Sequence, residues 1–233
     1  MATRAPSKAP SASRPARKRP APRGPGRPAP GDADLRERLL DAALQVFCAE
    51  GIRAASLKSI AAQAGVTPAL VHYYFGSKDA LQAAVVDERF LPVAASLRDV
   101  VADVDQPAQA LVAAFVDGVH ALVARHPWLP VIWVREILTE GGALREAMLS
   151  RVARAVPQVL AQRFAQAQRE GAINAALDPR FLVVSLIGLT LFPLAAEGIW
   201  RRIFPDGALD NARLRVHTRA LLAAALEVRD GSS

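Results

Sequence analysis

Cysteine is nearly missing from this chain: Cys48 is the only one among 233 residues. A single thiol cannot build a disulfide framework or a cysteine-based zinc site. Such sparing use fits a reducing, cytoplasmic setting. Histidine is scarce as well. His72, His120, His126 and His217 are the whole set, none stands four residues from another, and no HExxH occurs. No metal is therefore expected. The chain also lacks a Gly-x-Ser-x-Gly elbow, a Walker loop and a GxGxxG. Asp103 and Asp105 sit near a helix end and read as a solvated loop rather than a paired acid and base. With nothing to assemble a catalytic centre, neither enzyme activity nor a cofactor is expected. Alternating strand patterns and internal repeats are missing too.

Acidic residues are absent from residues 1–31, which hold eight of the 29 basic residues and eight of the 17 prolines. The rest of the chain is close to neutral, so the formal net charge of +7 resides in this segment. Its prolines exclude a helix or a central strand. It reads as a disordered, basic, Pro/Ala-rich tail. Such a tail can act as a solubilising leader, or as an arm reaching phosphates or a minor groove. It has no apolar stretch of the kind a secretory signal needs.

From Asp34 onward the pattern is helical. Leu35, Leu39, Ala42, Ala43, Val46 and Phe47 recur at 3.6-residue spacing, and Gly51 ends the segment. Ser56 opens a short helix that Gly65 stops, Thr67 opens a third and Ser77 a fourth. Further helices are expected near 106–126, 127–140, 142–170, 178–203 and 207–228, punctuated by Pro and Gly. The expected fold is all-α: a small N-terminal part over residues 32–92 and a larger helical bundle over 93–233.

The stretch AGVTPALVHYYFGSKDAL, Ala64 to Leu81, carries the sharpest signal. Thr67 suits an N-cap and Pro68 the first helical position. At 100° per residue, Val71 and Phe75 stack on one side, facing Ile60, Ala64 and Val66, with Thr67 and Tyr74 close to that edge. Ala69, His72 and Tyr73 then point outward. Two short helices joined by a glycine turn match the helix-turn-helix outline, whose second helix enters the major groove. The same outline also occurs as a plain packed hairpin. As a DNA reader, small residues at Thr67, Pro68 and Ala69 would let the backbone approach bases, and His72 and Tyr73 could donate to phosphate. The helix N-terminus at Ser77, with Lys78, would form a second phosphate clamp.

Leu35 to Val86 resembles the DNA-binding domain of the TetR/AcrR family of bacterial transcriptional regulators. The likeness is carried by Ala42, Phe47, Gly51, Ser56, Ile60-Ala61, Ala64-Gly65-Val66, Phe75, Ser77-Lys78 and Leu81. The family usually has Leu-Tyr where this chain has Val71-His72. The resemblance implies that Ser56, Thr67, Tyr73 and Lys78 meet the DNA backbone, with Pro68, Ala69 and His72 nearest the bases. It further implies a ligand-responsive regulator of double-stranded operator DNA, most often a repressor released by a small-molecule effector. A homodimer would form through the helices near 178–203 and 207–228.

Phe181 to Ala196 is the one long uncharged run, 16 residues. A membrane-associated helix is the alternative reading, but spanning takes about 20 apolar residues, and Arg180 and Glu197 flank the run. No membrane partner is expected. A helix buried by its own bundle on one side and a twin on the other explains the all-round apolarity. In HPWLPVIWVREIL, His126 to Leu138, an Arg135-Glu136 pair sits in an apolar helix. It either pairs with the bundle or offers polar handles to a pocket. The candidate pocket lining is Phe115, His120, Trp133, Arg135, Glu136, Phe164 and Phe192. An activator, or a constitutive regulator without a ligand, fits the same residues.

Overall fold

The computed structural model describes residues 30–100, 106–151, 156–205, 207 and 209–228. Residues 1–29 of the expected 1–31 tail and the carboxylates Asp103 and Asp105 lie outside this set, while residues 30 and 31 belong to the first helix. Among the described residues every regular element is a helix. The first, α1 (Pro30–Glu50), begins earlier than the expected Asp34, because proline is well tolerated in a first turn. It is followed by α2 (Leu57–Ala64), α3 (Pro68–Phe75) and α4 (Lys78–Val85). A π-helical turn, Val86–Phe90, carries α4 into α5 (Leu91–Val100), so the expected boundary near residue 92 falls inside a continuous helical run.

The remainder comprises α6 (Ala108–Arg125), then α7 (Leu129–Ile132) with a second π-helical turn, Trp133–Leu138. After these come α8 (Arg145–Arg151), α9 (Val156–Arg169), α10 (Pro179–Ala195), α11 (Glu197–Ile203) and α12 (Asn211–Leu226). The single helix expected over 178–203 is two helices, bent by 68° at Ala196. Pro193 removes an N–H from the ladder of α10, and the chain turns soon after it. Trp200 Nε1 donates to Pro193 O at 2.8 Å and fastens the bend.

Two apolar cores hold the molecule together. One gathers Leu39, Leu40, Phe47, Ile60, Val71, Leu81 and Phe90 from α1 to α5, and Leu129, Ile132, Ile137 and Leu144 from beyond α6 join it. The other gathers Leu111, Phe115, Val116, Leu160, Phe164, Leu186 and Leu222 from α6, α9, α10 and α12. The packing thus locks α7 and its π-helical extension against the N-terminal helices rather than only against the bundle. By length and composition α6 could cross a membrane, yet its Leu111, Phe115 and Val116 are core residues here.

Candidate nucleic-acid interface

The α2–α3 pair is built from local rules. Ser56 is extended and caps α2: its Oγ accepts from Ser59 N at 2.9 Å, and Ser59 Oγ accepts from Ser56 N at 3.0 Å. This is a capping box with serine in the usual Glu position. Gly65 closes the helix at φ +69, where a side chain would be strained. Thr67 is the N-cap of α3 with Pro68 in the first turn, but its hydroxyl makes no capping bond. Gly76 ends α3, and Ser77 Oγ accepts from Ala80 N at 3.1 Å to start α4.

On α3, Val71 is fully buried against the first core, worth about 1.5–3 kcal/mol for a side chain of this size. Phe75 and Tyr74 are half-buried beside it, and the Arg36 guanidinium lies 5.3 Å over the Phe75 ring. Thr67, Pro68, Ala69, His72 and Tyr73 are all exposed: Ala69 and Tyr73 lie opposite Val71 with His72 flanking them, and Thr67 and Pro68 sit at the N-terminal tip of the helix. Tyr73 is 80% exposed, braced only by an edge contact to Tyr74 at 5.4 Å between centroids. Among the described residues, none hydrogen-bonds its hydroxyl or covers its ring.

Two of the expected backbone contacts sit differently from the others. Lys78 is half-buried, and its Nζ donates to Arg53 O at 2.8 Å, tying α4 to the α1–α2 turn. The Ser56 hydroxyl is committed to its cap. The sequence reading overlooks Arg53 and Lys58, both near this end of α2. It also overlooks the link between α1 and α2 in which Gln63 Nε2 donates to Gln45 Oε1 at 2.6 Å. The only signal is a scatter of charged and polar residues, which helical periodicity assigns to solvent.

The expected pocket residues are dispersed. Phe115 and Phe164 are buried in the second core, and Trp133 packs against both cores. His120 is buried on α6, and its Nε2 has no hydrogen-bond partner among the described residues. Phe192 is 65% exposed on the outer side of α10 and so does not line an interior pocket. Arg135 and Glu136 also leave that lining: both bind the far end of α1 and the turn after it. Their polar groups are claimed by helix-end carbonyls and turn amides, which need partners of their own.

The comparisons agree with the geometry. The model of the bacterial regulatory proteins of the tetR family matches residues 39–85. The HTH-type transcriptional regulator SrpR of Pseudomonas putida is 32% identical over 148 residues, spanning 62% of this chain and 67% of the relative. The uncharacterized HTH-type transcriptional regulator TtgW, also of Pseudomonas putida, is 31% identical over 116 residues, spanning 50% and 84%. Among solved structures, the ketosteroid transcriptional regulator KstR2 of Mycobacterium tuberculosis shares the fold with a TM-score of 0.63 at 20% identity, covering 82% of this chain and 94% of that one. FadR of Bacillus subtilis, in complex with stearoyl-CoA, does so with a TM-score of 0.60 at 19% identity, covering 82% and 99%. The helix-turn-helix and the surrounding helices therefore define a transcriptional regulator. The chain belongs to the TetR family of bacterial regulatory proteins.

Proposed function

We propose that the protein is a homodimeric, ligand-responsive repressor that leaves its operator when a small, largely apolar effector binds the bundle. The observation that carries the DNA half of this reading is the exposed side of α3. Ala69, His72 and Tyr73 face away from the buried Val71, and Thr67 and Pro68 are exposed at the adjoining N-terminal tip. Pro68, Ala69 and His72 would lie nearest the base edges, and Thr67 and Tyr73 on the phosphates. Ser56 and Lys78 would shape that surface and add contacts at its edge.

The dimer is read from α10 and α12. Phe181, Val184, Ser185, Gly188, Leu189 and Phe192 are all exposed and follow one helical stripe, and Val216 and Leu221 are exposed on α12. A stripe this long in water favours a self-complementary partner. Two recognition helices would then stand about 34–36 Å apart, or a multiple of that spacing. For the effector, Phe115 of α6 and Phe164 of α9 share the interior of the bundle, and His120 Nε2 of α6 has no hydrogen-bond partner among the described residues. The stearoyl-CoA complex of FadR, a protein of the same fold, supports an apolar effector. Residues 32–92 would be the reading part and 93–233 the regulatory part, coupled by a shift in population between two helix separations.

A mobility shift with duplex DNA from beside the protein's own gene tests this reading. Retarded DNA that is released by an acyl-CoA or sterol probe supports it. Retardation that no apolar probe reverses leaves a constitutive regulator, and no retardation at all removes the DNA reading.

A further inference from the structure

The last turn of α1 presents four carbonyls that its own ladder leaves to outside donors. Gly51 N takes Phe47 O at 3.0 Å. The other three all go to one side chain: Arg135 Nη1 donates to Cys48 O and Ala49 O, and Nη2 to Glu50 O, each at 3.0 Å. The next residue continues the grip. Glu136, only 4% exposed, accepts from Ile52 N at 2.9 Å with Oε1 and from Ala143 N at 3.3 Å with Oε2. Its carbonyl accepts from Leu144 N at 3.1 Å. Positive charge at a helix C-terminus and a carboxylate on free amides are each favourable.

The backbone is shaped around this pair. Gly51 sits at φ +89, and a Cβ there would stand 3.1 Å from Arg135 Nε. A Cβ on Gly142 would come to 2.3 Å from Glu136 O, so the turn after the π-helical segment closes only over glycine. The π-helical Trp133–Leu138 turn lets two adjacent side chains reach one target. Next to it lies a cleft of about 630 Å³ bordered by Arg53, Lys78, Asp79, Gly141 and Arg145, which leaves the α1–α2 turn space to shift.

We infer that Arg135 and Glu136 are positioning residues: a clasp by which the bundle holds the α1–α2 turn, and so the α2–α3 reader, in its operator-binding pose. The turn leads directly to Ser56, the cap of α2, and its Arg53 carbonyl receives Lys78 from α4. Movement of the π-helical segment is thereby handed to both helices that flank α3. This route is separate from any shift passed along α4 itself. The inference rests on the reading that α2 and α3 meet DNA.

The test uses the full chain with Glu136→Ala, Glu136→Gln and Arg135→Ala. Duplex DNA from beside the gene reports affinity, and hydrogen exchange reports the amides of Ile52 and Ala143. All measurements are made well below each variant's melting temperature. Glu136→Ala should weaken DNA binding about three- to thirtyfold. Its Ile52 and Ala143 amides should exchange faster while those of α6 and α9 stay protected. Glu136→Gln keeps an acceptor for Ile52 and should recover most of the affinity. If Glu136→Ala does not fold, the exposed Arg135→Ala should show the same loss. Folded Glu136→Ala or Arg135→Ala protein that binds like the parent overturns the clasp. If the parent itself binds no DNA, the functional reading fails, and unchanged exchange at Ile52 would separately overturn the clasp.

Discussion

Helices α3 and α10 both leave large side chains in water, but in different ways. On α3 the exposed residues are Thr67, Pro68 and Ala69 near the tip, then His72 and Tyr73. On α10 they form a stripe from Phe181 through Val184, Gly188 and Leu189 to Phe192. The first surface carries hydrogen-bonding groups and suits a polar, hydrated partner such as a DNA groove. The second has almost none and suits a copy of itself. The two helices also differ in support. Behind α3 the fold supplies one fully buried residue, Val71, and the clamped turns around it. Behind α10 stand Leu182, Val183, Leu186, Leu191 and Leu194. Exposure alone therefore does not say what a face is for; the polar content beside it does.

The comparison breaks most visibly at α10. Val184→Glu with Phe192→Glu should yield a monomer in sedimentation and lower operator affinity about a hundredfold or more, because two linked reading heads become one. Its helical content should persist, since both residues are exposed. At α3 the loss should be smaller. Tyr73→Ala should weaken operator binding about tenfold, the size of one hydrogen bond to a charged group, and leave the melting temperature and the dimer unchanged. A monomeric Tyr73→Ala protein, or a dimeric α10 double variant, would reverse the assignment of the two faces.

Acid should act on the bundle. Burial, with Arg215 nearby, holds His120 below its ordinary value, and Asp117 opposes the shift only partly. His126 is lowered in the same direction, by burial and then Arg125. A histidine held below its unfolded value of about 6.5 binds fewer protons folded than unfolded. Its stabilising share is complete above that pH and is lost as the pH falls through the folded value. Thermal melts should thus drop as the pH falls below about 6.5, and His120→Gln should flatten that drop. The smallest expected effect concerns Cys48, whose thiol burial pushes up to about 11. Maleimide labelling of the folded protein at about pH 7 should be slow, and it should quicken on unfolding.

Much of the reading head is legible in the sequence because its rules are local. Ser56, Gly65, Thr67-Pro68 and Ser77 each act within a few residues, and the helix ends they mark appear where the spacing puts them. The division of VHYYF between Val71 and Phe75 inside and His72 and Tyr73 outside follows from 100° per residue. The Arg135-Glu136 pair is visible as polar residues that need partners, but apart from Ala143 those partners lie 84 to 87 positions away. No periodicity carries that information. The bend at Ala196 escapes for a related reason: Pro193 announces a disturbance, while the Trp200 hydrogen bond that fixes its direction is tertiary. Sequence reasoning turns Phe192 inward because large apolar residues usually are, whereas an exposed apolar face looks the same in sequence.

A hydroxyl-radical footprint on the DNA beside the gene bears on both faces at once. Two protected patches related by a two-fold axis, centred about one helical turn or a multiple apart, would place two α3 helices on DNA and hold them there through α10 and α12. A single protected patch at saturating protein, or protection that survives Tyr73→Ala undiminished, would contradict that account.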